Sequence, residues 1–429
     1  MPRRLLLLAF LLLLSPPLFA AETNWPMWRG PMGDGSSTEA NIPTKWNGKT
    51  GENIAWKVEI PGSGHSSPIV WGNRVFVVSC LGGPDDKAPD QKTSHARVLI
   101  SLDRKTGKTI WQQPVFESPL EKKHGLNSFA SGTPATDGKL VYVTFLAMDG
   151  TMNGGRTPGD MVVAAYDFDG NQKWLGKPGR FASVHGYCSS PVLFEDKVII
   201  NGDHDGDGYL VALAKTTGKE IWKTARPNKT RSYVTPIIRE VAGRMQLMMS
   251  GSKSVASYDP RTGKEQWYMD GPTEQFVASP VYDGEFLYLT SGFPDYHILA
   301  IKPSGSGHLG DDAIAWRTIK APSYVPSPIL CGKHFLIVSD IGIGSCYEAR
   351  SGTLLWNQRL GKHYSASLVT AGGLVYFLSD DGITKVIRPG DTLDLVAEND
   401  LGEYCYASPA ISQGQIFIRG EKNLWCVGK

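Results

Sequence analysis

Cysteine is scarce in this chain, with six residues in 429: Cys80, Cys188, Cys331, Cys346, Cys405 and Cys426. No two are adjacent, and no C-x-x-C or Cys/His run has metal spacing, so neither a zinc knuckle nor a dithiol redox motif is indicated. Cys331 with Cys346, and Cys405 with Cys426, each fall within one sequence repeat on strands expected to be neighbours. Local disulfides are one expectation for them and small buried thiols the other. An excess of either charge is also lacking. The 44 Lys and Arg against 42 Asp and Glu leave +2, with the basic residues scattered, which gives no footprint for nucleic acid. Gly-x-Ser-x-Gly, a His/Glu/His helix motif and a phosphate-binding glycine loop do not occur. Beyond Leu14 no run is apolar enough to span a bilayer.

Turn formers and aromatics are plentiful: 48 Gly, 28 Pro and 10% Phe, Trp and Tyr, a balance that suits an all-β repeat protein. The chain opens with Arg3 and Arg4, the apolar run Leu5 to Leu14, a Ser15-Pro16-Pro17 break and small residues at Ala20 and Ala21. This pattern predicts a secretory signal peptide over 1–21, with no cysteine placed for a lipid anchor. The expected product is periplasmic or secreted, without a transmembrane segment.

An internal repeat organises the rest. One half-unit begins with Ser or Thr, usually followed by Pro and then apolar residues. Its starts are Ser67-Pro68, Thr133-Pro134, Ser190-Pro191, Thr235-Pro236, Ser279-Pro280, Ser327-Pro328, Ser367-Leu368 and Ser408-Pro409. The other half is a strand, a Thr-Gly-Lys turn and a strand carrying tryptophan, as at Thr106-Gly107-Lys108 with Trp111, Thr217-Gly218-Lys219 with Trp222 and Thr262-Gly263-Lys264 with Trp267. Ser351-Gly352 with Trp356 is a fourth copy, and degenerate copies end at Trp174, at Trp316 and near Val396. Units of four short strands at this period predict an eight-bladed β-propeller of four-stranded blades over 53–429. Residues 22–52 form an N-terminal extension expected to pack on it. The eighth unit is one strand short, and the orphan strand Asn53 to Val58, with Trp56, is predicted to complete it and close the ring.

The Asp-x-x-Thr-Gly-Lys-x-x-Trp pattern resembles the tryptophan-docking motif of pyrroloquinoline-quinone (PQQ)-like propellers, across about residues 53–429. Trp25-Pro26-Met27-Trp28-Arg29-Gly30-Pro31 resembles the start of secreted bacterial members. The resemblance implies tryptophans packed between blades over turn glycines that allow close backbone approach. For function it implies either a binding scaffold, as in the propeller accessory of outer-membrane protein assembly, or a quinoprotein dehydrogenase using PQQ and calcium. Those dehydrogenases stack the quinone between a tryptophan and a vicinal disulfide, and this sequence has no adjacent cysteines.

Strand order puts the B–C loops and D–A connections on one face and the tight A–B and C–D turns on the other. The first face carries the long segments Cys80 to Arg97, Gln112 to Phe129 and Phe145 to Asp160, concentrating it in blades 1 to 3. His65, Asn127, Phe129, His185, Tyr187, Arg231, Tyr233, Phe276, Tyr324, His363, Tyr364, Tyr404 and Tyr406 fall just before successive A strands. There they would ring the channel mouth, where aromatics stack on a planar ligand or a sugar and His and Arg orient polar groups, or where they plug the channel. Carbohydrate or cell-wall binding is a third function this ring would suit. Asp203, Asp205 and Asp207 in Asp203-His204-Asp205-Gly206-Asp207-Gly208 match the first half of a calcium loop, but the twelfth position is Ala214. A polar Asp/Gly turn is the alternative.

Overall fold

The computed structural model describes residues 23–82, 93–149 and 157–428. The predicted signal peptide and parts of two insertions, 83–92 and 150–156, lie outside the described residues. Eight antiparallel sheets follow one another along the chain. Blade 1 is Ile69–Trp71, Arg74–Cys80, His95–Asp103 and Thr109–Ser118, running from inner strand A to outer strand D, and the blades after it follow the same plan. Among the described residues no helix is long and apolar enough to cross a membrane.

Burial explains why these segments are strands. A blade is covered on both faces by its neighbours, so middle strands read as continuous apolar runs, and Val75, Phe76, Val77 and Val78 are all fully buried. The outer strands face solvent and keep one buried anchor. In Glu220–Ala225 that anchor is Trp222, and in Ile54–Glu59 it is Trp56. The clusters between blades form the core: Ile199, Leu210 and Ala212 of blade 3 pack with Leu247, Met249 and Val255 of blade 4.

Tryptophans of five outer strands tie a blade to the next, as the resemblance implies; Trp356 of blade 6 has no partner for its Nε1 among the described residues, and the outer strand of blade 7, Asp394–Asp400, carries no tryptophan. Trp56 Nε1 donates to the Arg104 carbonyl at 2.8 Å, Trp111 to Phe168 at 2.9 Å, Trp174 to Lys215 at 2.8 Å and Trp316 to Ala349 at 2.8 Å. Each ring lies flat on a turn glycine. A Cβ on Gly107 would stand 2.7 Å from Trp56, and one on Gly218 would stand 2.4 Å from Trp174, and both glycines have positive φ (71° and 69°). Blade 4 departs from the plan. Its sheet gains a fifth short strand, Gly307–His308, parallel to Glu265–Asp270, and Trp267 donates instead to Gln246 Oε1 at 2.7 Å.

The ring closes as expected. Ile54–Glu59 pairs antiparallel with Asn423–Val427, with Trp56 opposite Cys426, and completes blade 8. Two expectations need correction. Cys331 and Cys346 lie on strands Ile329–Cys331 and Ile343–Glu348, which flank His334–Val338, and all six cysteines are free thiols. Two strand spacings are about 9–10 Å, beyond the roughly 7 Å over which a disulfide can form. Cys405 likewise precedes Ala410–Ser412, two strands from Cys426 on Asn423–Val427. The second correction concerns the insertions. Strand D of blade 1 continues to Ser118, and in blade 2 strands Leu140–Met148, Thr157–Asp167 and Gln172–Ser183 extend past the usual blade height. Much of what reads as loop is therefore strand.

The N-terminal segment crosses the A–B-turn face. Trp25 exchanges 2.9 Å backbone bonds with Val70 of blade 1, and the Pro26 carbonyl accepts from Thr136 N of blade 2 at 2.8 Å. Asp34 pairs with Arg239 of blade 4 at 3.0 Å. Arg29 Nη2 donates to the Pro328 carbonyl of blade 6 at 2.5 Å, and Ser37 N to Thr370 of blade 7 at 2.8 Å. The Glu39 carboxylate then accepts from Gln413 N and Gly414 N of blade 8. One short segment thus braces six blades and closes the axis from below.

Candidate functional site

On the axis lies a cavity of about 120 Å³ floored by Trp28. Its wall is the ring of Ser and Thr residues that open the repeats. Ser67 N donates to Thr133 Oγ1 at 3.0 Å, and Thr133 N to Ser190 Oγ at 3.0 Å. Thr235 N donates to Ser279 Oγ at 2.9 Å, Ser279 N to Ser327 Oγ at 2.9 Å, Ser327 N to Ser367 Oγ at 3.0 Å and Ser367 N to Ser408 Oγ at 2.9 Å. Six of the eight hydroxyls, those of Thr133, Ser190, Ser279, Ser327, Ser367 and Ser408, answer the amide of the preceding blade, which is why the repeat favours Ser or Thr there. The repeat starts were legible in sequence, but this role in the channel wall was not.

Above the ring the predicted mouth residues divide into two sets. His65, Asn127, His185, Arg231, Tyr233, Tyr324, His363 and Tyr406 are half-buried, and of these His65, Tyr233 and Tyr406 line the axial cavity. His65 packs on Tyr406 with ring centroids 4.5 Å apart, and its Nδ1 donates to the Leu126 carbonyl at 3.1 Å. His185 stacks on His124 at 5.7 Å and meets Tyr233 at 6.3 Å, while Tyr233 Oη lies 2.8 Å from Ser183 Oγ. Asn127 Nδ2 donates to the His185 carbonyl at 2.8 Å. Tyr324 N and Val325 N donate to Asp340, and the His363 ring bonds Asp380. Phe129, Tyr187, Phe276 and Tyr364 instead belong to the core between blades, at 4%, 3%, 0% and 0% exposure. Tyr404 faces solvent. The physical reason is that these connections are not regular strands: strict alternation would put i and i+2 on one face, but in His185-Gly186-Tyr187, where Gly186 has φ 84°, and in Tyr404-Cys405-Tyr406 the two ring-bearing residues part.

The Asp-rich loop is a set of ion pairs. Asp203 is fully buried and takes Arg226 Nε at 2.9 Å and Ser232 Oγ at 2.8 Å. Asp205 takes Arg231 Nη1 at 2.8 and 2.9 Å, and Asp207 takes Lys229 at 2.8 Å. Among the described residues no group of three or more His, Cys, Asp or Glu side chains is arranged to hold a metal ion.

Burial is the main cause that pulls His65 and His185 down to about 4, reinforced by Arg419 and Lys123 beside His65 and by Arg231 and His124 beside His185. Both are neutral at pH 7. Because the folded values lie below the unfolded value of about 6.5, the stability they contribute is complete above pH ~6.5 and is lost as pH falls toward 4. The denaturant midpoint is therefore expected to drop across that window. The drop should be shallower in His65→Gln/His185→Gln, and equal slopes would refute this assignment.

A family profile described as outer membrane protein assembly factor BamB matches residues 37–145, 94–343 and 252–396. Over 163 residues the chain is 26% identical to the lanthanide-dependent methanol dehydrogenase of Methylorubrum extorquens, covering 35% of this chain and 25% of that enzyme. Over 88 residues it is 31% identical to the lanthanide-dependent methanol dehydrogenase of Methylacidiphilum fumariolicum, covering 19% and 14%. The chain thus spans a quarter or less of these curated relatives. Among solved structures it is similar to BamB from Moraxella catarrhalis (TM-score 0.59, 10% identity, 88% of this chain and 99% of that one). It is also similar to quinohemoprotein alcohol dehydrogenase from Comamonas testosteroni (TM-score 0.65, 13% identity, 95% and 81%). At these identities the structural matches speak to fold alone.

Proposed function

We propose a function for a chain that belongs to the PQQ-like β-propeller family, the family described by the outer membrane protein assembly factor BamB. It is a binding scaffold that holds a protein partner of the outer-membrane assembly apparatus on its loop-rich face. The leader-like N-terminus and the family description support action outside the cytoplasm.

The observation that carries this reading is a group of exposed apolar side chains on blades 5 and 6. Phe293 and Tyr296 in the blade 5 B–C loop are 51% and 50% exposed, Ile319 in the following D–A connection is 70% exposed, and Ile341 in the blade 6 B–C turn is 64% exposed. Tyr324 joins these segments. Gly292 abuts its ring, and its backbone N–H is held by Asp340, next to Ile341. Four large apolar groups on one face of a rigid ring are what a protein interface presents.

Three observations favour the scaffold over a quinone centre. A cofactor-sized ligand takes about 300 Å³ or more, against the roughly 120 Å³ on the axis. The aspartates are each committed to a basic side chain, and no cysteines are adjacent. Nor do the half-buried rings present an open stacking platform for a sugar, since His65 is packed on Tyr406 and His185 on His124.

Affinity purification of the full chain from cell envelopes tests the scaffold reading. Wild type should recover an outer-membrane assembly component that Ile319→Asp/Ile341→Asp does not, and equal recovery by both would contradict it. Titration with PQQ and calcium, followed by absorbance and dye-linked alcohol oxidation, should show neither saturation nor turnover. Saturable binding with turnover would favour the quinoprotein alternative.

A further inference from the structure

We infer that the axial cavity is a binding site for one small oxyanion of the size of phosphate, sulfate or a short carboxylate, independent of the partner surface on blades 5 and 6. The first ground is the chemistry of the wall. Ser67, Thr133, Ser190, Thr235, Ser327 and Ser367 all line the cavity. Thr133, Ser190, Ser327 and Ser367 spend an oxygen lone pair on the amide of the preceding blade. Their hydroxyl protons cannot follow that bond, and none of the six hydroxyls donates to a protein acceptor among the described residues. These six O–H donors therefore face the axis; Ser131 and Ser365, which also line it, donate to Asn127 and Asp380 instead, and no carboxylate lines it.

The second ground is charge. Two buried guanidinium groups, each 1% exposed, stand just behind the cavity lining: Arg29, next in sequence to the floor residue Trp28, and Arg419, beside Gly64. Arg29 Nη2 reaches the Pro328 and Leu368 carbonyls, one residue beyond ring members Ser327 and Ser367. Arg419 Nη1 donates to the Val78 carbonyl at 2.9 Å, and its Nη2 approaches Gly64, next to the cavity residue His65. Neither forms a contact ion pair among the described residues; Asp34 acts on Arg29 and Glu403 on Arg419 only at longer range. Nε and Nη1 of Arg29, and Nε and Nη2 of Arg419, have no hydrogen-bond partner.

Buried cations are ordinarily neutralised by a counter-charge, and burial drags both arginines down to about 10. A small anion at the hydroxyl ring adds to the long-range counter-charge of Asp34 and Glu403. It also accepts the O–H donors, which a cation would meet with the wrong end of the dipole. The volume of about 120 Å³ admits a tetrahedral oxyanion or a short carboxylate and little more.

Calorimetric titration of the full chain with inorganic phosphate, sulfate and acetate, at constant ionic strength against chloride, tests this and ranks the anion sources. Saturable binding at one site per chain is expected for at least one of them. Arg419→Met and, separately, Thr133→Val should weaken it about tenfold or more. Two variants on different blades guard against one failing to fold. A crystal soaked in selenate should give an anomalous peak on the axis above Trp28. Heats no different from chloride, or a selenate peak only off the axis, would overturn the inference.

Discussion

Trp56→Ala should open the ring. The side chain is 9% exposed, hydrogen-bonds Arg104 of blade 1, lies on Gly107 and meets Phe417 of blade 8 at 5.9 Å. Truncating a tryptophan in such a place costs about 3–5 kcal/mol, a large share of a total stability of about 5–15 kcal/mol. Trp111→Ala removes the same ring from an equivalent site within a continuous stretch of chain. The comparison isolates closure, because only Trp56 sits on a strand whose sheet partner, Asn423–Val427, comes from the far end of the chain. Hydrogen exchange should therefore show Trp56→Ala deprotecting Ile54–Glu59 and Asn423–Val427 together, well beyond Trp111→Ala. Equal protection of these strands in both variants would mean that closure does not depend on this tryptophan.

The second large effect is on binding. Ile319 and Ile341 are the most exposed large apolar side chains among the described residues, and neither supports the core. Ile319→Asp/Ile341→Asp should leave the denaturation midpoint within about 0.5 kcal/mol of wild type. Across a formed interface each aspartate would be an unpaired, desolvated charge costing several kcal/mol, so the dissociation constant should rise about a hundredfold or more. Surface plasmon resonance with the recovered partner measures this. A change in stability without a change in affinity would contradict the assignment.

The fold was legible because its two repeated signals report backbone constraints directly. A Thr-Gly turn followed by tryptophan marks the docking of one blade on the next. A Ser or Thr before an apolar run marks the inner strand, and even Ser367, which lacks the proline, keeps its place in the ring. The channel was harder to read. Phe129 and Phe276 stand in sequence where a mouth residue would, yet they turn into the core, and periodicity alone cannot tell which way a residue in a non-repetitive connection faces. The Asp203–Asp207 run resembles a metal loop until Arg226, Arg231 and Lys229, about twenty residues on, are brought against it. Arg29 reaches a carbonyl 299 positions away, a contact that only ring closure creates. The apolar patch was missed because it consists of single residues, such as Ile341 between Asp340 and Gly342, set in otherwise polar turns. The proposed partner surface lies on blades 5 and 6, away from blades 1 to 3, where the insertions and the Asp-rich loop fall.

The most direct test of a scaffold working through that patch is site-specific photocrosslinking in cells, with a photoreactive residue at Ile341 on the loop-rich face and, as control, at Ile221 on the outer strand of blade 3, where it is 41% exposed. A crosslink from position 341 to an outer-membrane assembly protein, absent from position 221, is the predicted result. No crosslink from 341, or the same protein captured equally from 221, would contradict it.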